Sequence, residues 1–342
     1  MKTMADQAVM NRTQRHVFDQ LLAMGGARPT MKAGLVDALA DHLVDNTRRA
    51  VADWTGSRLF ISKSSVTNTL RCEGLVLAQE ATPMATMVGP TAVGIVAHRA
   101  VQIAYTHPTL TLEECVQSGL EASVEEERFA EFWDSAGTGR QSDLLMQMLS
   151  KTVAFIDSFP PLLSSWTARF EEGFQAPLET MLLGARCDLV LGRPKTDLRQ
   201  TMFLADLKTG ALSDHHFDEA MFYALVATLH YGVAPFRSTV YSLASYEWSD
   251  PDVTEDRLFT AADKVIETAT KLVGAKSGRR DVDLTAGPHC RFCPARNDCS
   301  SFDPDAKPAT VSAAPAPMSF AAVSSTGTNA TAHEPSVFDI ED

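Results

Sequence analysis

The segment Leu204-Ala205-Asp206-Leu207-Lys208-Thr209-Gly210 follows Gly184-Ala185-Arg186-Cys187-Asp188-Leu189-Val190-Leu191 across a turn-rich stretch from Gly192 to Arg199. Both are apolar runs of strand length bounded by Gly, Pro or charged residues. Side chains alternate along a strand, so Asp206 and Lys208 face one side and Leu207 the other. Paired as a hairpin, the two strands bring Asp188 beside Asp206, and two carboxylates and an ammonium then converge at one end of a sheet. Carboxylates sharing a pocket repel unless they are protonated or bridged by a cation, and hard oxygen ligands with open water positions suit Mg²⁺ or Mn²⁺. A lysine at the next same-face position can hold a water or stabilise charge developing on a phosphate. On spacing alone, the same residues also fit two surface acids near strand ends with Lys208 as a salt-bridge partner.

Outward from this pair, residues 166–171 and 238–246 read as two further strands, and residues 213–231 and 255–273 as helices. The first half of the chain reads as helical. Val17, Leu21 and Leu22, then Leu35, Leu39 and Leu43, recur at helical spacing, with breaks at Gly25-Gly26 and Thr55-Gly56. Ser64 and Ser65 open a short helix that delivers Cys72. A helix over residues 91–105 carries His98, an acidic helical region covers 112–143, and another helix covers 144–155. Helices, three strands, helix, strand, helix is the order of an α/β core with a mixed sheet.

The chain's 342 residues suffice for one large domain or two modest ones, and 45% apolar with 21% charged residues is an ordinary globular composition. No window approaches the roughly 18 apolar residues of a membrane span, and the N-terminus lacks a signal-peptide apolar stretch, so a cytoplasmic setting is expected. The organisation expected is a helical lead-in over residues 1–57, a main domain over 58–302, and a disordered acidic tail over 303–342 rich in Ala, Pro, Ser and Thr. The tip Val337-Phe338-Asp339-Ile340-Glu341-Asp342 could dock on a recombination or replication protein or serve as an inert solubilising end.

A net charge of −13 argues, taken in bulk, against a polyanionic partner. Its distribution changes that. Residues 112–143 hold nine acids against two arginines, and residues 303–342 six against one lysine, leaving the remainder nearly neutral. Lys276, Arg279, Arg280, Arg291 and Arg296 form a basic stretch that could follow a nucleic-acid backbone, or be scattered solvated charges.

Six cysteines are too few for a disulfide scaffold at this length. Cys290-Arg291-Phe292-Cys293 and Cys299 give Cys-x2-Cys-x5-Cys, three thiolates for one centre that needs a fourth ligand. Structural zinc usually takes two such pairs; one is present, although His289 could serve. Cys187 is out of phase with Asp188 and belongs in the core, and Cys115 falls in an acidic helix; neither is assigned a functional role.

Residues 62–299 resemble the PD-(D/E)XK nuclease superfamily, in its RecB-type branch that includes CRISPR-associated iron-sulfur exonucleases and AddB nucleases. Gly94-Ile95-Val96-Ala97-His98 is similar to the helix motif with a metal-binding His. Gly184 to Asp188 resembles the first acidic motif, and Asp206-Leu207-Lys208-Thr209-Gly210 the (D/E)-x-K strand with its Thr-Gly exit. Glu219-Ala220-Met221-Phe222-Tyr223 stands where the family has Gln-x-x-x-Tyr, with Glu219 the departure: an extra carboxylate could join the metal shell or repel DNA. The resemblance implies a restriction-endonuclease-like core. It also implies that His98, Asp188, Asp206 and the Leu207 carbonyl bind Mg²⁺ or Mn²⁺, that Lys208 positions water, and that Tyr223 contacts substrate or orients Lys208. It brings Cys72 to Cys290, Cys293 and Cys299, and four thiolates suit a [4Fe-4S] cluster, with Zn²⁺ the alternative. Such a cluster would tie the two ends of the domain together. The activity implied is metal-dependent exonucleolytic cleavage of single-stranded or end-bearing DNA in recombination, repair or CRISPR-like processing. The competing possibilities are a catalytically silent iron-sulfur DNA-binding or assembly subunit and a zinc-stabilised interaction protein.

Overall fold

A computed structural model describes residues 10–23, 28–52, 54, 58–82, 87–162, 166–213 and 215–302. The breaks expected at Gly25-Gly26 and Thr55-Gly56, the tail over 303–342 and its docking tip lie outside these residues.

The chain opens with α1 (Arg12–Val17), which runs into a π-helical turn (Phe18–Leu22), and α2 (Leu35–Val51). Then come β1 (Leu59–Ser62), α3 (Lys63–Arg71), α4 (Glu73–Ala81), α5 (Gly89–Thr106), α6 (Leu112–Val124), α7 (Glu127–Ser135) and α8 (Gly137–Ser158). The second half is β2 (Arg169–Pro177), β3 (Met181–Leu191), β4 (Phe203–Lys208), α9 (His215–Tyr231), β5 (Arg237–Ser242) and α10 (Glu255–Lys276), followed by two 3₁₀ turns, Pro288–Phe292 and Arg296–Asp298.

The five strands form one mixed sheet in the order β1-β3-β4-β5, with β2 also on β3. One edge of β3 is paired antiparallel with β2 from Leu182 to Val190. The other edge is shared. Parallel β1 takes Met181–Gly184, and antiparallel β4 takes Leu189–Leu191. Between them the sheet forks, and Asp188 stands at the fork. Beyond β4, β5 runs parallel to it.

Helices cover both faces. On one, α2, α9 and α10 bury Leu39, Leu43, Leu225, Ala262 and Val265 against Met181, Leu183 and Val240. The helix α9 is apolar nearly all round because it lies between the sheet and α10. On the other, Phe155 of α8 and Phe159 just after it, with Leu21, Leu22 and Trp166, pack on Leu189, Phe203, Leu207 and Tyr241. The helices α5 to α8 add an apolar cluster of their own around Val96, Phe129 and Met148. The N-terminal helices thus contribute to both main cores, and a fully buried Leu such as Leu39 or Leu43 contributes about 1.5–3 kcal/mol.

The mixed α/β sheet flanked by helices is the architecture expected from the sequence. Four details differ. β1, only four residues between helices, carries too short an alternation to be seen. The strand expected at 166–171 is shifted to Arg169–Pro177, because Trp166 is packed in the core ahead of it. Residues 144–155 are the continuation of a 22-residue helix that starts at Gly137. A separate helix, α4, follows Cys72, whose extended backbone ends α3 and starts α4.

Candidate active site

Asp206 is 3% exposed on β4, and three groups hold its carboxylate. The Tyr223 hydroxyl of α9 donates to Oδ1 at 2.8 Å, and Lys63 Nζ donates to the same atom at 3.2 Å. Lys208 Nζ pairs with the other oxygen, Oδ2, at 2.5 Å. The ion pair confirms that Asp206 and Lys208 share a face. Burial opposes the charge on Asp206, yet Lys63 and Lys208 outweigh it and hold the carboxyl below its ordinary range. Lys208 is half-buried; desolvation opposes its charge, but Asp206 and Glu219 push its pKa well above that of a free lysine, so it stays an ammonium at neutral pH.

Asp188 lies across the fork. The Leu207 amide N–H donates to Asp188 Oδ2 at 2.5 Å, so a side chain replaces a ladder partner where β3 and β4 part. Its Oδ1 is 3.5 Å from His98 Nδ1 on α5. One turn earlier, Gly94 faces Thr209, where a Cβ would sit 3.8 Å from the threonine Oγ1, so α5 lies close to the exit of β4. Burial disfavours protonation of His98, but Asp188 and Glu171 prevail and raise its pKa.

Glu171 was not legible in the sequence. It sits on β2 with φ at +51°, a left-handed conformation that a residue with a Cβ adopts at a cost, and its Oε1 lies 3.9 Å from His98 Nδ1. One ligand atom from each of His98, Glu171 and Asp188 lies within 4.8 Å of the others. Burial, then repulsion from Asp188, raise the Glu171 pKa. Lys63 was also missed: the Ser62 capping box starts α3 directly from β1 and puts Lys63 at its first position, over Asp206.

Glu219 is nearly buried, with Oε2 3.4 Å from Lys63 and 3.3 Å from Lys208, so the departure from the family's Gln faces two ammonium groups rather than open solvent. Tyr223 is buried and its hydroxyl donates to Asp206, the ion-pair partner of Lys208. His215 and His216 approach Glu219 as well. His216 Nδ1 already accepts the Ser213 N–H and two lysines flank Glu219, which makes this trio a poor cation site.

Asp188, Glu171, Asp206 and Glu219 face two lysines, so two carboxylates have no ammonium to balance them. His98, Glu171 and Asp188 are a mostly oxygen donor set that fits a divalent cation, and the Asp206–Lys208 ion pair stands outside that trio.

At the C-terminal end of α3, Cys72 lines one cavity of about 270 Å³ with Cys290, Cys293, Cys299, Leu75, Leu284 and Phe302. The Gly287 N–H donates to Cys290 Sγ. This segment packs on α4 with Leu284 over Gly74, where a Cβ would fall 2.4 Å from Leu284 Cδ2 and that side chain would have to shift. It also uses Glu73, 2% exposed, which accepts from Arg280 at 2.6 and 2.8 Å and from the Asp283 N–H at 3.0 Å. Cys187 and Cys115 are buried, and the Cys187 thiol donates to the Ala205 carbonyl. Burial, with Asp188 nearby, pushes Cys187 far above the ordinary thiol range, so it remains a thiol.

Burial raises the Glu73 pKa, but Arg280 and the Asp283 amide lower it further, for a net depression. Its stabilisation is therefore present above the unfolded carboxylate pKa of about 4.3 and is lost as pH falls through the lower folded value. Glu73→Gln is expected to cost about 2 kcal/mol at pH 7. The Tm difference from wild type should be flat near neutrality and close below about pH 4. A gap that persists unchanged at pH 3 would contradict the ionic origin.

The family model of the PD-(D/E)XK nuclease superfamily matches residues 68–300. The chain belongs to this superfamily. Membership indicates nuclease activity, a hydrolase acting on nucleic acid, and its members typically use divalent metals. A search of curated proteins gives no match. A solved structure described as "Crystal structure of SSO0001" aligns over 69% of this chain and 96% of its own, at 11% identity and a TM-score of 0.28. No described helix is long and apolar enough to cross a membrane.

Proposed function

We propose that the chain is a Mg²⁺- or Mn²⁺-dependent deoxyribonuclease of the RecB-type branch, acting as an exonuclease on single-stranded or end-bearing DNA. In this reading a [4Fe-4S] cluster on Cys72, Cys290, Cys293 and Cys299 closes the domain over residues 58–302. The carrying observation is that Asp188, held on the Leu207 N–H, joins His98 and Glu171 in one potential metal trio, while the residues on either side of Leu207 are the paired Asp206 and Lys208. Asp188, Asp206, His98 and the Leu207 carbonyl, joined by Glu171, hold the metal. A bound divalent cation supplies charge neutralisation and a more acidic water. Lys208, kept protonated by its neighbours, is no base; it orients the attacking water and stabilises charge on the phosphate. Tyr223 and Lys63 hold Asp206 in place, and Glu219 restrains both lysines. The acidic helices α6 and α7 are the wrong surface for phosphates, which are expected to bind elsewhere.

Iron-sulfur is favoured over zinc by size. A zinc tetrahedron with bonds of about 2.3 Å needs sulfurs about 3.8 Å apart. Among the described residues no three of these thiols fall within 4.8 Å of one another, and they surround a cavity of about 270 Å³. Cluster thiolates also suit a reducing, cytoplasmic setting. The wider role proposed is in recombination, repair or CRISPR-like DNA processing.

Anaerobically purified protein tests this with end-labelled linear and circular DNA, single- and double-stranded, in Mg²⁺, Mn²⁺ or EDTA. Linear single strands are expected to shorten with either metal and circles to persist. Nicked circles would overturn the exonuclease assignment. Tight DNA binding with no cleavage under any metal would overturn catalysis and favour a silent subunit.

Glu171 gives a second test with opposite signs. Glu171→Gly relieves the left-handed backbone and is expected to leave stability unchanged or raise it by up to about 1 kcal/mol. The same change removes a ligand, so half-maximal activity should need roughly tenfold or more metal. An unchanged metal requirement would remove Glu171 from the site.

A further inference from the structure

The face of the sheet that carries Asp188 continues beyond the metal ligands. Along β3, Asp188, Arg186 and Gly184 point to that face in alternation, while Cys187 and Leu183 point into the core. Two residues of strand span about 6.6 Å, close to one backbone repeat of an extended nucleic-acid strand. Arg186 is exposed and forms no ion pair with any described residue; Glu171 is the acid whose charge it tempers. One step further, the ring of Phe60 on β1 rests on Gly184. A Cβ there would lie 2.5 and 2.7 Å from two ring carbons, so only glycine allows the ring to lie down. Phe60 is nonetheless 52% exposed, an aromatic ring with a glycine floor and an open side, in line with the Asp188 carboxylate.

We propose that Phe60, Gly184 and Arg186 form a seat for one unpaired nucleotide beside the cleavage site: its base stacks on Phe60 and its phosphate is held by Arg186. The inference rests on the nuclease reading above and deepens it, because a base can lie on Phe60 only when it has left its partner strand. Stacking on an aromatic platform is sequence-tolerant, and the arginine supplies a sequence-independent phosphate contact. The seat therefore selects unpaired ends and single strands without selecting sequence. Its charge also fits the occupant: beside a metal that neutralises Asp188 and Glu171, Arg186 leaves this strip positive, whereas α6 and α7 remain acidic.

The test measures binding of fluorescent oligo-dT and of a blunt, closed-hairpin duplex in Mg²⁺, in a Lys208→Ala background that cannot cut. Phe60→Ala is expected to weaken oligo-dT binding about tenfold, or about 1.4 kcal/mol, with duplex binding unchanged. Phe60→Trp should restore it. Arg186→Gln should weaken binding and reduce the salt slope by about one. Phe60 is exposed, so Phe60→Ala should keep the parent Tm. Equal affinity of Phe60→Ala and its parent for oligo-dT, or equal losses on single strand and duplex, would overturn the seat. Wild-type cleavage, measured alongside, separates the two levels: cleavage with no effect of Phe60 removes the seat alone, and absence of both cleavage and DNA binding removes the nuclease reading with it.

Discussion

Lys208→Ala is expected to lower metal-dependent DNA cleavage by at least about 10³-fold while leaving the fold intact. A single charge donor aimed at a developing anion contributes about 10² to 10³ in rate, and in the function proposed above Lys208 has the second task of orienting the water. Its loss is tolerable for the fold because Asp206 keeps the Tyr223 hydroxyl and Lys63, and Glu219 keeps Lys63. Asp206→Ala and Asp188→Ala should be equally inactive for a different reason, loss of the cation. Asp188→Ala has in addition a structural signature, because the Leu207 N–H at the fork loses its acceptor. Separating the three by bound metal is therefore informative: Lys208→Ala retains the cation and the two aspartate variants do not.

The second large effect concerns the cysteine end. No residue of the two 3₁₀ turns, Pro288–Phe292 and Arg296–Asp298, is buried, so apolar packing cannot order this segment. Its fixed points are the four cysteines, the Glu73 contacts and Leu284 on Gly74. Cys293→Ser is expected to lose the brown colour and broad visible absorption of a cluster. A group that orders a segment contributes its binding free energy to folding, and 1 kcal/mol moves Tm by about 2–4 °C in domains of 150–250 residues, so a drop of about 10 °C or more follows. Local unfolding should be confined to the cysteine end, with new tryptic cuts at the exposed Arg291 and Arg296 and an intact sheet. Equal protease resistance in Cys293→Ser and wild type would contradict the structural role, and colourless wild-type protein with stoichiometric zinc would contradict iron-sulfur.

What was legible in the sequence was what repeats or alternates locally. The hairpin of β3 and β4 carries Asp188, Asp206 and Lys208 on strands long enough to show their period, and α9 announces itself by length. His98 needed a motif, because one imidazole on an apolar helix has no local signal. Glu171 and Lys63 were invisible for physical reasons. Glu171 is aimed by a left-handed backbone inside a strand, which no pattern of polarity encodes, and Lys63 by a helix cap directly after a four-residue strand. The Tyr223 hydrogen bond to Asp206 had no signal in the sequence, because it is set by the packing of α9 against β4.

Net charge was the weakest guide. The bulk value of −13 pointed away from a polyanion, whereas the site itself needs carboxylates in excess so that a cation can occupy it.

The central claim, a cation held by the fork carboxylates with Lys208 acting on the substrate side, is tested most directly by a Mn²⁺ titration of wild type and Lys208→Ala. Bound metal is followed by electron paramagnetic resonance and cleavage of linear single-stranded DNA in the same samples. The expected result is equal Mn²⁺ occupancy in both proteins with cleavage in the wild type alone. Full cleavage by Lys208→Ala, or cleavage by wild type that persists in EDTA, would contradict it.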